Sequence, residues 1–343
     1  MSSRRKAYVL FIVLSVLLCV AVLVVRHLRQ PVNDGGKDRI LVYDVPSTID
    51  EAPPTVDGFS FSALRRDRPT LHEIAEGIRR AADDDEIHAL VLHISGTSWG
   101  WARIAEMRSA LSAFRASHKM LYASLDGGGE GEYLLASSAN IVAMPATSTL
   151  QLDGLSVAVT FLKGGYDKLG ITPNYAHVGQ FKSAVEQYTR TSMSPPARAA
   201  MESLLDDLYT VLVDSLAVSR HMPADSLRRL VDEGPFLAED AHARGLVDML
   251  LDEGDVDTLA VHTGGRHLVI ETLPNYLDDG PHLKPRTHLA LVVASGEIVS
   301  GRSHDNPWQG QQLGAESIIA ALRDARQRKD VRAVVLRIDS PGG

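Results

Sequence analysis

Cysteine is almost missing from this sequence. The only one in 343 residues, Cys19, has no partner for an intramolecular disulfide and no companions for a cysteine zinc site. An excess of basic charge is missing too. Lys and Arg number 35 against 43 Asp and Glu, a formal charge of −8, which removes the composition-level case for nucleic-acid binding. Neither H-E-x-x-H nor G-x-x-x-x-G-K-[ST] occurs, which disfavours a zincin and a P-loop enzyme. The thirteen histidines are scattered and point to no metal, and no cofactor is expected. At 45% apolar and 23% charged residues, extended disorder and fibrous repeats are excluded as the main state.

What is present begins with a long apolar run. Ala7 to Val25 is 19 residues without a charge, too long for a signal-peptide core and close to a membrane-spanning helix. Arg4, Arg5 and Lys6 precede it and Arg26 and Arg29 follow. The reading is an uncleaved anchor over residues 1–29 with a cytoplasmic N-terminus, which puts the body on the outer side of the cytoplasmic membrane. Residues 30–38 are a polar linker.

Beyond the linker, strand-like and helix-like segments alternate. Ile40 to Val45, Ala89 to Ile94, Met120 to Leu125 and Ile141 to Met144 read as strands, and Leu71 to Ala82 and Ile104 to Phe114 as helices. That order implies an α/β fold with a largely parallel sheet. Ser194-Pro195-Pro196 opens a long helix with Ser194 as N-cap, its apolar face running from Met201 through Leu204, Leu205, Leu208, Val211 and Leu212 to Leu216. Residues 252–287, rich in Asp, Gly, Pro and His, read as a connecting segment between a domain over 39–251 and a second over 288–343. A shift of 244 residues lays Ile87–Ile94 on Val331–Ile338, Ile74 on Ile318 and Ile78 on Leu322. This is a tandem repeat whose second copy is cut short.

Two segments carry possible chemistry. Lys182, in Val178-Gly179-Gln180-Phe181-Lys182-Ser183-Ala184-Val185, stands among apolar and small residues. Such surroundings remove solvation from the ammonium and favour a general base, and they equally suit a snorkelling lysine on a half-buried segment. The end of the sequence, Arg337-Ile338-Asp339-Ser340-Pro341-Gly342-Gly343, places two glycines after a strand, where backbone amides can turn toward an oxyanion or simply form a strand-to-helix turn.

Together, the anchor, the repeat and these two segments resemble the signal peptide peptidase A (protease IV) family in its long two-copy form. The matching pieces are Gly179-Gln180-Phe181-Lys182-Ser183-Ala184-Val185-Glu186, Met193-Ser194-Pro195, Gly131 to Asn140, Gly234-Pro235-Phe236, Gly245 to Asp248 and Val335 to Gly343. The resemblance implies crotonase-like (ClpP-like) repeats, one complete and the start of a second, and a serine/lysine-dyad endopeptidase. Lys182 matches the general base, and Gly342 and Gly343 the glycine turn beside the oxyanion hole. Ser340 matches a turn serine of the motif. The nucleophilic serine is expected just beyond Gly343, so the 343-residue chain by itself is expected to be inactive. In the first copy the matching position falls at about Ile104. The implied substrates are cleaved signal peptides and other short hydrophobic peptides, and the implied assembly is a homotetramer held at the membrane through residues 7–25. Two other readings stay open on the residues: an acyl-CoA enzyme of the crotonase fold, and an inactive membrane scaffold.

Overall fold

The computed structural model describes residues 38–52, 68–176, 178–263, 268–278, 288–306 and 310–343. The anchor expected over 1–29, and the linker except Asp38, lie outside the described residues. Among the described residues no helix is long and apolar enough to cross a membrane.

The first part of the chain alternates as β1 (Arg39–Asp44), α1 (Leu71–Asp83), β2 (Ile87–Ile94), α2 (Trp101–Ala116), β3 (Met120–Leu125), α3 (Glu130–Ala136) and β4 (Ile141–Met144). A short strand β5 (Thr149–Leu150) follows, then α4 (Lys163–Lys168), α5 (Glu186–Thr189), the long α6 (Pro195–Arg220) and α7 (Ala224–Glu233). Next come β6 (Phe236–Leu237), α8 (Ala238–Ala243), β7 (Met249–Leu250), α9 (Glu253–Thr263), β8 (Val269–Thr272) and α10 (Leu273–Asp278). Six of the strands form one sheet in the order β7-β4-β3-β2-β1-β8, every pairing parallel.

The pleat explains why the strands read as unbroken apolar runs. Leu41, Tyr43, Leu90, Leu92, Ile94, Leu121, Ala123 and Leu125 point to one face and pack with Ile74, Ile78, Met107, Leu111 and Phe114 of α1 and α2. The alternate residues Ile40, Val42, Ala89, Val91 and Tyr122 point to the other, where Val256 and Ala260 of α9 cover them. Helix α9 and strand β8, both inside the stretch 252–287 read from composition as connecting segment, therefore contribute one face's cover and an edge strand. α10 closes on α1, with Arg80 stacked 4.4 Å above the Tyr276 ring and donating to its carbonyl at 2.6 Å.

Local chemistry sets the helix ends. Thr70 caps α1 in a reciprocal box with Glu73: the Glu73 amide donates to Thr70 Oγ1 at 3.3 Å and the Thr70 amide to Glu73 Oε2 at 2.7 Å. Ser194 caps α6 through the Ala197 amide, with Pro195 first in the helix. The apolar face expected along α6 is covered only toward its C-terminal end. Leu212, Val213 and Leu216 are buried, whereas Leu204 and Val211 are exposed, because the earlier turns of the helix run past the core.

The last part holds β9 (His288–Ser295), β10 (Glu297–Val299), β11 (His304–Asn306), β12 (Gly310–Gly314), α11 (Ala315–Gln327) and β13 (Val331–Asp339). Strands β9 and β13 pair in parallel around α11, as β1 and β2 pair around α1. Helices α1 and α11 are both 13 residues long and begin 244 residues apart. The two strand pairs also slip at the same place. Arg39 faces Ile87 but Ile40 faces Ala89; His288 faces Val331 but Leu289 faces Ala333.

At the C-terminal end of β2, the buried imidazole of His93 joins the two layers. Its Nδ1 is 2.8 Å from Asp44 Oδ1 and 3.5 Å from Glu253 Oε1, and its Nε2 is 3.0 Å from Asp257 Oδ1. Burial works against the charged ring, but the hydrogen bonds to Asp44 and Asp257 and the charges of Asp257 and Glu253 outweigh it, and the pKa is raised above 6.5. A raised folded-state pKa adds stability that is complete below pH 6.5 and disappears as pH rises through the folded value. Thermal unfolding followed against pH should show Tm falling above 6.5, and His93→Gln should abolish that step; an unchanged profile in the variant would refute the assignment. In the core, Phe114→Ala should cost about 3–5 kcal/mol in urea unfolding.

Candidate functional site

The glycine turn follows directly from β13. Ser340 Oγ accepts the Gly342 amide at 3.1 Å, so this serine shapes the turn, and the Gly342 carbonyl accepts the Ile298 amide at 2.8 Å. Gly342 has φ +103°, a conformation that a side chain disfavours. A Cβ on Gly343 would stand 2.2 Å from the Ile298 carbonyl oxygen. Both glycines are thus required by the path of the backbone.

The turn after β2 is built differently. Its residues Gly96-Thr97-Ser98-Trp99-Gly100 lie between β2 and α2 and have the G-x-S-x-G spacing of a nucleophile elbow. The contacts do not support that role. Among the described residues no histidine or lysine is hydrogen-bonded to the exposed Ser98, and its amide donates to the Ser47 carbonyl at 2.7 Å. The Thr97 amide donates to Glu132 Oε1 at 2.6 Å, and the Gly129 amide reaches the other oxygen of the same carboxylate at 3.0 Å. Trp99 is buried, with its indole N–H on the Pro46 carbonyl at 3.0 Å. Ile104 is a core residue. The Thr97 and Ser98 amides are thus taken by the protein's own acceptors, and no described histidine or lysine activates the Ser98 hydroxyl.

Lys182 sits on the stretch between β5 and α6. Between Leu152 and Ala197 no described residue is buried. Val178 is 92% exposed and Phe181 60%, and Lys182 itself is exposed. The desolvated setting expected from its apolar neighbours is therefore not formed within the chain, because those neighbours face water with it. This stretch is nonetheless ordered by local contacts. The Leu162 amide donates to the Gln187 carbonyl at 2.7 Å, Tyr175 stacks on Tyr188, and Glu186 accepts Ser194 Oγ at 2.6 Å, tying α5 to the start of α6.

An ionic network that the sequence did not announce joins the glycine turn to the first part of the chain. The buried carboxylate of Glu51 accepts Arg103 Nε at 2.9 Å on one oxygen and Arg337 Nε at 2.6 Å on the other. Arg337 also reaches Glu106 at 2.7 Å, and Arg103 reaches Asp339 at 2.5 Å. Only residue spacing on β13 and α2 hinted at it, and the partners are up to 286 positions apart. Elsewhere, a cavity of about 450 Å³ between β9, β12 and α11 is lined by Leu291, Leu313, Ile318 and small polar residues; it has no titratable side chain in its wall and offers no chemistry.

The model of "Peptidase family S49" matches residues 113–262, a span that encloses Lys182. The chain is 27% identical over 282 residues to the chloroplastic serine protease SPPA of Arabidopsis thaliana, covering 80% of this chain and 42% of that protein. It is 30% identical over 290 residues to protease 4 of Haemophilus influenzae, covering 79% and 46%. The chain thus spans less than half the length of these relatives. Among solved structures, a membrane-bound stomatin-specific protease aligns over 69% of this chain and 97% of its own at 10% identity, with a TM-score of 0.40; at that score it bears on neither fold nor site.

The filled turn makes a direct prediction. Glu132→Ala leaves the Thr97 and Gly129 amides without their acceptor and should cost about 1–3 kcal/mol in urea unfolding, the scale of an unsatisfied buried polar group. Glu132→Gln, which keeps an acceptor oxygen, should lose less.

Proposed function

The chain belongs to peptidase family S49, that of signal peptide peptidase A, and we propose that it supplies the base-bearing copy of a serine/lysine-dyad endopeptidase. The observation that carries this reading is the family match over residues 113–262, which contains the Gly179-to-Glu186 segment around Lys182. Neutral Lys182 Nζ takes the proton of a serine hydroxyl as that oxygen attacks the scissile carbonyl. The tetrahedral oxyanion is held by backbone amides beside the Gly342–Gly343 turn, which Ser340 shapes by accepting the Gly342 amide. The lysine ammonium then protonates the leaving amine, an acyl-enzyme forms, and water, deprotonated by the same lysine, releases it.

The nucleophile in this reading comes from residues that follow Gly343 in the second copy of a crotonase-like repeat. The repeat is supported by the matching lengths of α1 and α11 and by the common slip in the two strand pairs. The first copy is a poor source, since its turn is closed by Glu132 and Ser47 and Ile104 is in the core. A lysine works as a base only when water is taken from its ammonium. The exposed arm around Lys182 therefore needs a cover, and its apolar side chains suit a homotetramer in which a neighbouring copy provides one. The substrates proposed are cleaved signal peptides and other short hydrophobic peptides, met at the outer face of the cytoplasmic membrane, with residues 7–25 as the anchor.

In the full-length protein, Lys182→Ala should abolish hydrolysis of a fluorogenic hydrophobic peptide while thermal unfolding stays cooperative; full residual activity would overturn the dyad. Alkaline phosphatase fused after residue 40 should be active in cells, and a silent fusion would reverse the topology.

A further inference from the structure

We infer that Glu51, Arg103 and Arg337 are positioning residues that hold the Asp339–Gly343 turn against the first part of the chain. The inference rests on the dyad reading, in which the base and the oxyanion turn lie on different copies and their relative placement decides the rate.

The geometry supports this role. Arg337 and Asp339 are two residues apart on β13 and so share a face of the strand. Arg103 and Glu106 are three apart in the first turns of α2 and so share a face of the helix. Glu51 lies between them with a side chain only 4% exposed, and each of its oxygens takes a guanidinium from a different part of the molecule. Arg103 then closes the ring on Asp339, the residue directly before the glycine turn. Two guanidiniums meet three carboxylates here, so every cation has at least two anionic partners.

Such a ring tolerates little displacement. Sliding β13 along α2 would separate both arginines from a carboxylate that has almost no water to replace them, leaving a buried charge unpaired. Within residues 38–343, apolar packing on β13 imposes no comparable register, because Val334, Val335, Leu336 and Ile338 are all exposed there. The Arg337–Asp339 end of the strand is where the directional contacts to the first part are made, and the turn begins at the next residue. Catalysis is sensitive to such placement, since a misplacement of about 1 Å can cost about 100-fold in rate.

The test uses the full-length protein, with kcat and KM measured on the fluorogenic peptide and unfolding monitored in parallel. Glu51→Gln and Arg103→Gln should each lower kcat by at least about tenfold, within the range a misplacement of this kind produces, with KM little changed. Their double variant should be no worse than the poorer single, as expected of residues acting as one unit. Arg103→Lys, which keeps the charge, should recover part of kcat. Folded variants with wild-type kcat would overturn the inference, as would a loss confined to Tm or KM. If Glu51→Gln does not fold, Arg103→Gln decides, because that side chain is partly exposed. Lys182→Ala, run alongside, separates the two ideas. An active Lys182→Ala removes the dyad and leaves the clamp to be judged on its own kcat values, whereas an inactive Lys182→Ala beside fully active clamp variants removes the clamp alone.

Discussion

A parallel sheet has two apolar faces, and neither can be left to water. Most of the architecture follows from that constraint. Strands β1 to β3 send alternate side chains to opposite faces, and helices α1 and α2 cover one of them. The other is covered by α9, from a stretch whose polar composition suggested a linker. Val256 and Ala260 lie one turn apart on α9 and supply the apolar contact, a stripe too narrow to change the average composition of its segment.

The same constraint separates the two ends of the molecule. The central strands of the six-stranded sheet are buried, whereas among the described residues β13 pairs only with β9 and keeps Val335 and Ile338 exposed. At the end of β13 that meets α2, the contacts among the described residues are charged ones, through Glu51 and its two arginines. The buried carboxylate thereby takes on, at the junction, the orienting work that side-chain interdigitation does elsewhere.

The two turns after β2 and β13 follow similar strands but are built from different contacts. In the first, Thr97 and Ser98 donate their amides to Glu132 and Ser47, and a tryptophan seals the loop. In the second, Gly342 and Gly343 take the places of Ser98 and Trp99, and the backbone passes close to Ile298. A serine in a G-x-S-x-G spacing is present only in the first, where no base is hydrogen-bonded to it. Spacing alone is therefore a poor guide at this position.

The amino-acid sequence by itself determined the strands β1 to β4 and helices α1, α2 and α6, the last with its Ser194 cap, because each depends on local periodicity or on a neighbour three or four residues away. It also singled out Lys182 and the glycine turn through a family pattern. Only the tertiary structure decided that residues 252–278 complete the sheet, that much of the apolar face of α6 is uncovered, that Lys182 faces water in the single chain, and that Glu51 gathers two arginines. These outcomes depend on which surfaces meet across hundreds of residues, and burial is a property of those meetings. An apolar neighbour in sequence desolvates a lysine only if something packs over both.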